Sequence, residues 1–154
     1  MTNSTDIGRR GEFLAAYVLE SYGIECHHVN RQEADLWCKM PNGTLVPVQV
    51  KACSNPSFDK RWPTPLRYSF NYRKMDKNLW VACVALDVEI VLLFPPGKPG
   101  KWVRKELFTE QEQGRRVQEF LKSEGGSSVS QGASNLSTRS PTDCQQAPVQ
   151  HPPR

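Results

Sequence analysis

The chain has 154 residues, of which 38% are hydrophobic and 23% charged, with a formal net charge of +4. A chain of this length forms one domain, so a second domain is not expected, and the mild basic excess permits a polyanionic partner without requiring one. The first residues lack the apolar core of a secretory signal, and no stretch approaches the ~18 consecutive apolar residues of a membrane span, so we expect a cytoplasmic protein.

The first predicted element is a helix from about Asp6 to Tyr22. Thr5 or Asp6 caps its start, and Gly23 supplies the left-handed residue that ends it. Apolar residues recur at three- and four-residue steps on one face of this helix, namely Ile7, Leu14, Val18 and Tyr22.

Three segments with strand character follow the helix: Ile24–Asn30, Ala34–Lys39 and Leu45–Cys53. Asn42 and Gly43 separate the last two segments. Because both residues tolerate positive φ, this pair between two apolar runs predicts a β-hairpin. We therefore expect the second and third segments to lie side by side.

A loop and a half-exposed strand are predicted next. Three prolines and little periodicity predict a loop over Ser54–Pro65. Tyr68, Phe70 and Tyr72 then alternate with polar residues, which is typical of a strand with one face in solvent.

Two valine-rich runs, Leu79–Leu86 and Glu89–Phe94, come after that strand. Their continuous apolar character predicts strands that are buried on both faces or lie in the middle of a sheet. The sequence Pro95-Pro96-Gly97 then ends the sheet.

The last predicted helix runs from Thr109 to about Lys122. Thr109 and Glu112 have the spacing of a capping box, in which the hydroxyl and the carboxylate satisfy each other's backbone N–H groups. Its apolar stripe consists of Val117, Phe120 and Leu121. The order of elements is α-β-β-β-β-β-α, which predicts an α/β fold with a central mixed sheet flanked by helices.

Residues 125–154 differ in composition from the rest of the chain. They are rich in Ser, Gly, Gln and Pro, and they carry too little apolar surface to offset the entropy of ordering them. We therefore predict a folded domain over residues 1–124 and a disordered tail over 125–154.

Polar side chains come together at the predicted hairpin. Gln49 and Lys51 are two residues apart, so they point to one face while Val48 and Val50 point into the core. Asp35 reaches the same face from the neighbouring strand. A carboxylate, an amide oxygen and an ammonium group therefore share one small patch.

This patch suits the hydrolysis of a phosphodiester. Carboxylate and neutral oxygens hold Mg²⁺, which polarises phosphorus and lowers the pKa of the attacking water. Lys51 would orient that water or stabilise the charge that develops on the phosphorane.

The hairpin resembles the active-site hairpin of the PD-(D/E)XK nuclease superfamily, in which an Asp precedes an (E/D/Q)-x-K strand. The matching residues are Asp35, Gln49 and Lys51. Many members also carry a Glu on the first helix, within Gly-x-x-Gly-Glu, and the stretch Gly8–Glu12 is similar to it. The resemblance covers Gly8–Phe94 and is nearest to Holliday junction resolvase-like and intron homing endonuclease-like members.

The resemblance implies a restriction-endonuclease-like fold and a metal-dependent endonuclease that cleaves DNA, either resolvase-like or site-specific. Glu12, Asp35 and Gln49 would hold Mg²⁺, with Mn²⁺ as a substitute, and Lys51 would assist. Because one such site cuts one strand, a homodimer or higher homo-oligomer is also implied.

Two features depart from the pattern. No proline immediately precedes Asp35, and Gln49 replaces the usual acid, which keeps an oxygen ligand but lowers metal affinity.

Basic residues near aromatic ones predict contacts with DNA phosphates and bases. Arg9 and Arg10 lie beside Glu12 and are candidates for phosphate contacts. Further candidates are spread along the middle of the chain: Lys60, Arg61, Arg67, Arg73, Lys74 and Lys77. In the other interpretation, the aromatic residues of this stretch belong to the core and the cations form its solvated face.

Each motif residue has a simpler interpretation when it is taken alone. Glu12 would be a solvated helix residue, Asp35 a turn cap and Lys51 a solvent-facing strand residue. Two other functions therefore stay open. One is a catalytically weak nucleic-acid-binding module that lost its metal through Gln49, and the other is a non-enzymatic adaptor whose tail recruits partners.

The cysteines and histidines give no competing site. The five cysteines are odd in number and form no C-x-x-C pair, which argues against a disulfide framework and a zinc ribbon. Cys26, His28 and Cys38 match no recurrent metal-ligand spacing. His27 and His28 are adjacent on a strand and face opposite ways, so we interpret both as structural or solvated.

Overall fold

The computed structural model of the protein describes residues 3–29, 34–98 and 100–125. The predicted tail lies outside these ranges except for Gly125, which is the last residue of a helix. Within the described part of the chain, no helix has the length and apolar character needed to cross a membrane.

Helix α1 spans Ser4–Ser21 and matches the first predicted helix within two residues at its start. Its cap is Asn3, whose side-chain oxygen accepts the Thr5 N–H at 2.7 Å, so the prediction of Thr5 or Asp6 as the cap was wrong. An Asn side chain satisfies the free N–H groups of a first turn as well as Asp or Thr does, and here it precedes both. Gly23 ends the turn with a φ of +84°, as predicted.

Eight strands follow among the described residues, namely β1 (Glu25–His28), β2 (Leu36–Lys39), β3 (Leu45–Cys53), β4 (Ser57–Asp59), β5 (Trp62–Ser69), β6 (Trp80–Ala85), β7 (Ile90–Phe94) and β8 (Trp102–Arg104). The central sheet has five strands in the order β1-β2-β3-β6-β7. Its β3–β6 pair is parallel and its other pairs are antiparallel, so the predicted mixed sheet is confirmed. The predicted hairpin is the β2–β3 pair, which turns at Gly43 with a φ of +91°.

A second sheet contains three strands in the order β4-β5-β8. The predicted loop over Ser54–Pro65 was wrong in part, because it holds all of β4 and the start of β5. Strand β5 is stabilised by pairing with β8, in which Arg67 lies opposite Arg104, and such a distant partner is invisible to local periodicity. Tyr68 and Phe70 are buried, whereas Ser69 and Asn71 are partly or fully exposed, so the predicted alternation of aromatic and polar residues is confirmed there.

The central sheet is covered on both faces. One face packs on α1 through residues such as Leu19 and on helix α2 (Glu110–Gly125) through Val117 and Phe120. The other face packs on the second sheet, where Tyr68 belongs to a cluster with side chains of β6. All six residues of β6 are buried, which confirms that the valine-rich run crosses the middle of the fold.

Helix α2 begins after Thr109 as predicted, but it ends three residues later than predicted. The Thr109 hydroxyl accepts the Glu112 N–H at 3.2 Å, which is one half of the predicted capping box. The Glu112 carboxylate pairs with Arg115 and Arg116 on the same helix. The helix continues to Gly125, whose carbonyl accepts a hydrogen bond from the Asn42 side chain at 2.6 Å.

Candidate active site

The hairpin residues of the predicted site lie where β2 and β3 separate. Strand β2 begins at Leu36, which pairs with Val48, so β3 has no β2 partner beyond that point. Asp35 directly precedes β2, and its N–H donates to the Val48 carbonyl at 3.2 Å. Its carboxylate oxygen Oδ2 accepts the Val50 N–H at 2.8 Å. The Asp35 carboxyl therefore takes the place of a strand partner where the ladder ends.

Gln49 lies beside Asp35 and is only 4% exposed. Its amide nitrogen Nε2 donates to Asp35 Oδ2 at 2.5 Å. Its carbonyl oxygen Oε1 is buried and accepts no hydrogen bond from any described residue. A buried acceptor without a donor is unfavourable, so this oxygen is suited to a cation or an ordered water.

Gln49 and Lys51 share one face of β3, and Val48 and Val50 pack into the helix-side core, as the alternation of this strand predicts. On the parallel neighbour β6, Lys51 lies in register with Cys83. The polar face of β3 is therefore turned toward the second sheet and away from α1.

Lys51 is paired with an acid that the sequence analysis did not identify. Its Nζ lies 3.1 Å from Oδ2 of Asp76, and the Lys51 side chain is 17% exposed while that of Asp76 is 0% exposed. Asp76 belongs to a short 3₁₀ helix, Lys74–Asn78, whose N-cap residue is Arg73. The Arg73 N–H donates to Asp76 Oδ2 at 2.6 Å. An Asp three residues after an N-cap was the only sequence signal for this contact.

Glu12 lies on α1, which packs on the other face of β3, and its carboxyl is coupled electrostatically to Asp35. Helix α1 lies very close to β3 at Gly11, where an added Cβ would stand 2.5 Å from the Ala52 Cβ. This contact brings the next residue, Glu12, to the side of the sheet where His28 lies, with 3.7 Å between Glu12 Oε2 and His28 Nδ1. His27 points elsewhere and pairs with Glu25 at 2.7 Å, so the two histidines face different partners as expected.

Burial raises the pKa of the Asp35 carboxyl above its ordinary value, and the Asp76 charge adds to this effect. The Val50 N–H, Lys51 and Arg73 oppose it. Burial and the Asp35 charge likewise raise the pKa of Glu12. The Asp35 carboxyl is therefore coupled electrostatically to Glu12, to Lys51 and to Asp76.

The oxygen atoms of the predicted ligand set are of the chemical type that binds a divalent cation. Among the described residues, no three His, Cys, Asp or Glu side chains are arranged to hold a metal ion. The predicted ligand set is not a group of that kind. It contains two carboxylates, Glu12 and Asp35, and the amide oxygen of Gln49, which accepts no hydrogen bond from the described residues. Few protein oxygens supplemented by water are typical of Mg²⁺ sites.

The predicted DNA-binding residues fall into separate groups. Arg73 is coupled to Asp35 and to Asp76, and its side chain is 55% exposed. Arg9 lies above the ring of Phe13, 5.6 Å from its centroid, and it lowers the pKa of Glu12. Arg73 and Arg9 therefore act electrostatically on the site.

Other cations lie on the second sheet or elsewhere on α1. Lys60 and Arg61 are exposed in the turn between β4 and β5, and Arg67 lies opposite Arg104. Lys74 starts the 3₁₀ helix beside Arg73, and Arg10 lines a shallow pocket with Phe13 and Leu86. Arg104, which is exposed, was not among the predicted residues because β8 was not predicted as a strand.

Comparison with known proteins finds similarity among solved structures. No protein-family model matches the chain, and no curated protein does either. Among solved structures, the chain is similar to the bacterial homing endonuclease I-Ssp6803I, with a TM-score of 0.55 and 19% sequence identity. The alignment covers 90% of this chain and 99% of that chain. A likeness at this identity establishes a shared, nuclease-like fold.

Proposed function

We propose that this chain is a metal-dependent endonuclease of the PD-(D/E)XK superfamily that hydrolyses DNA phosphodiester bonds. One observation carries the proposal: the Gln49 amide donates to Asp35 and thereby leaves its buried carbonyl oxygen without a donor. An amide that served only to support the fold would have both ends satisfied. Here the amide oxygen, the Asp35 carboxylate and the Lys51 ammonium belong to neighbouring residues where β2 and β3 separate in a nuclease-like fold.

Asp35, Gln49 and Glu12 would hold Mg²⁺, with Mn²⁺ as a substitute. When bound, the cation supplies Lewis-acid polarisation of the phosphate and a lowered pKa of a coordinated water. The Oδ2 atom of Asp35 accepts hydrogen bonds from the Val50 N–H and the Gln49 amide. These two bonds fix the orientation of the other carboxylate oxygen. Glu12 would complete the ligand set from the α1 side.

Lys51 would stabilise the negative charge that develops on the phosphate in the transition state. Its ammonium is mostly removed from solvent, which strengthens its electrostatic effect relative to a surface lysine. The Asp76 contact fixes the end of its side chain. Arg73, which is partly exposed beside Asp76, would contact a phosphate of bound DNA.

DNA is the proposed partner, and phosphate contacts would come from the basic residues of α1, the second sheet and the 3₁₀ helix. Those residues are Arg9, Arg10, Lys60, Arg61, Arg67, Arg73 and Lys74.

Because one site cuts one strand, we also propose that two copies act together on a duplex or junction. Light scattering of the protein with DNA tests this, and a 1:1 monomeric complex that still cuts both strands would contradict it.

Cleavage of a labelled panel of plain duplex, single-strand, flap and four-way junction DNA tests the proposal. We expect cutting in Mg²⁺ or Mn²⁺, none in EDTA, and a loss of about 100-fold or more in Asp35→Asn. Asp87→Asn is the matched control, because Asp87 accepts hydrogen bonds from Tyr68 and takes no part in the site. Equal activity of Asp35→Asn and the control would sink the proposal.

A second candidate is a DNA-binding module of the same fold that no longer cuts. The observation in its favour is the neutral Gln49 at a position where the superfamily pattern usually has an acid. This candidate predicts DNA binding that is indifferent to Mg²⁺ and no cleavage of any substrate. The endonuclease predicts calorimetric Mg²⁺ binding that Asp35→Asn abolishes.

The adaptor alternative is tested by truncation after Gly125. The Gly125 residue is retained because its carbonyl is tied to Asn42. An endonuclease whose domain spans residues 1–124 keeps its cleavage rate without the tail. An adaptor that recruits partners through the tail loses its function.

A further inference from the structure

The Asp76 carboxylate is a buried charge in a place where the fold alone does not require one. Its side chain is 0% exposed. It accepts the Arg73 N–H and so closes the first turn of the 3₁₀ helix, but a neutral Asn or Ser accepts such a bond equally well. Burying a carboxylate is unfavourable unless a cation pairs with it. Closing the turn therefore does not explain why residue 76 is charged.

The carboxylate of Asp76 lies between two cationic side chains. Oxygen Oδ2 contacts the Lys51 ammonium at 3.1 Å and receives the Arg73 N–H. Oxygen Oδ1 is buried, accepts no hydrogen bond from any described residue, and lies 3.7 Å from Nη2 of Arg73. One carboxylate thus links the lysine of β3 to an arginine that is half exposed.

The surroundings of Lys51 leave Asp76 as its close anionic partner. Cys83 lies opposite Lys51 in the sheet register, and burial raises the pKa of that thiol to about 12, so it stays neutral. The Asp35 carboxylate is coupled to Lys51, but its Oδ2 atom is occupied by the Val50 N–H and the Gln49 amide. Without Asp76, the lysine side chain would be free to adopt other rotamers or to pair directly with Asp35.

We propose that Asp76 is a positioning residue: its buried carboxylate holds the Lys51 ammonium away from Asp35 and in line for the phosphate, and links it to Arg73. This inference rests on the proposed endonuclease function. Its consequence is a division of roles in which Asp35 is kept for the cation and Lys51 for the substrate. Loss of Asp76 then affects the rate of the chemical step more than the binding of DNA.

The test compares wild type with Asp76→Asn, which keeps an acceptor for the Arg73 N–H and removes the charge. We expect the single-turnover cleavage rate to fall about 10- to 100-fold, as for other groups that orient catalytic side chains, with DNA affinity within about twofold of wild type. Asp87→Asn serves as the control for loss of a carboxylate hydrogen-bonded beside the second sheet. An unchanged rate in Asp76→Asn overturns the proposal.

A second readout does not depend on cleavage. In ¹⁵N-labelled wild type, the Lys51 ammonium should give a slowly exchanging NMR signal, assigned by its loss in Lys51→Arg, because the group is hydrogen-bonded and largely buried. Asp76→Asn should remove this signal while the control retains it. If the wild type cuts no DNA, the endonuclease fails and the NMR signal still decides whether Asp76 holds Lys51. A signal that persists in Asp76→Asn, or a loss of rate matched by the control, reduces Asp76 to a structural residue.

Discussion

Gly11 of α1 and Ala52 of β3 are in closer contact than any residue with a side chain at position 11 would allow. A Cβ at Gly11 would lie 2.5 Å from the Ala52 Cβ, and Ala52 stands on a strand that is paired on its β6 side. The contact sets the height of α1 above the sheet at the residue before Glu12. The position of Glu12 therefore depends on the absence of one methyl group.

Gly11→Ala is expected to destabilise the fold by about 1–3 kcal/mol, because either α1 or β3 must move. Gly8→Ala is the matched control on the same helix, since nothing lies within 4 Å of an added Cβ there. Helix propensity alone should make that control up to about 1 kcal/mol more stable than wild type. Urea unfolding of both variants measures the difference. Equal stabilisation by the two substitutions would show that the contact is looser than described.

Lys51→Met should cost about 3 kcal/mol of folding free energy, because it leaves the Asp76 carboxylate buried without its ammonium partner. Adding Asp76→Asn should recover part of that loss, with a coupling of about 1–3 kcal/mol between the two sites. Denaturant unfolding of the two single variants and the double variant gives the coupling. Additive effects would contradict the ion pair. The double variant is also the better test of lysine catalysis, because it separates loss of the ammonium from loss of the fold.

Asp35→Asn should raise the melting temperature of the metal-free protein by about 2–4 °C. Burial raises the pKa of Asp35, so ionisation of this carboxyl opposes folding at neutral pH. The Asn side-chain oxygen can still accept the Val50 N–H and the Gln49 amide. Calorimetry in EDTA measures the effect, with Asp87→Asn as the control. A melting temperature below that of the control would mean that the buried charge is compensated.

Stabilisation by Mg²⁺ should depend on pH. The pKa values of Asp35 and Glu12 are raised, so both groups take up protons at a higher pH than ordinary carboxyls do. Their contribution favours the metal-free fold below the unfolded-state pKa and is lost as the pH rises through the folded-state pKa. Protons and Mg²⁺ then compete for the same oxygens. The increase in melting temperature on adding Mg²⁺ should be larger at about pH 7.5 than at about pH 5.5, and equal increases would exclude these carboxyls as ligands.

Arg73→Gln should weaken DNA binding and reduce the slope of log affinity against log salt by about 1, as for loss of one phosphate contact. Lys122→Gln is the control, because Lys122 is an exposed cation near the end of α2 and far along the chain from the site residues. Fluorescence anisotropy at several salt concentrations provides both slopes. The same change in both variants would indicate only the effect of net charge.

The local part of the candidate site could be predicted from the sequence. The two-residue period of β3 and the Asn42-Gly43 turn determine that Asp35, Gln49 and Lys51 meet, and both signals lie within one hairpin. Asp76 could not be predicted, because its contact with Lys51 depends on how the chain returns after the second sheet.

The second sheet was missed for the same reason. Strand β5 contains prolines, and its partner β8 follows β6 and β7 in the chain. A strand is predicted from the alternation of its apolar and polar side chains. Strand β8, from Trp102 to Arg104, is too short to show such an alternation. The second sheet is therefore defined by tertiary pairing, and only the three-dimensional fold reveals it.

The parallel pairing of β3 with β6 has a consequence for the order of folding. Gln49 and Lys51 lie in register with Val81 and Cys83, so their strand gains its second neighbour only after the whole crossover between them has been synthesised. Non-local parallel pairs form slowly, because the loop-closure entropy is lost before their contacts are gained. During synthesis, the β2–β3 hairpin therefore emerges first, with one edge of β3 still unpaired. The site becomes rigid only when β6 pairs with that edge.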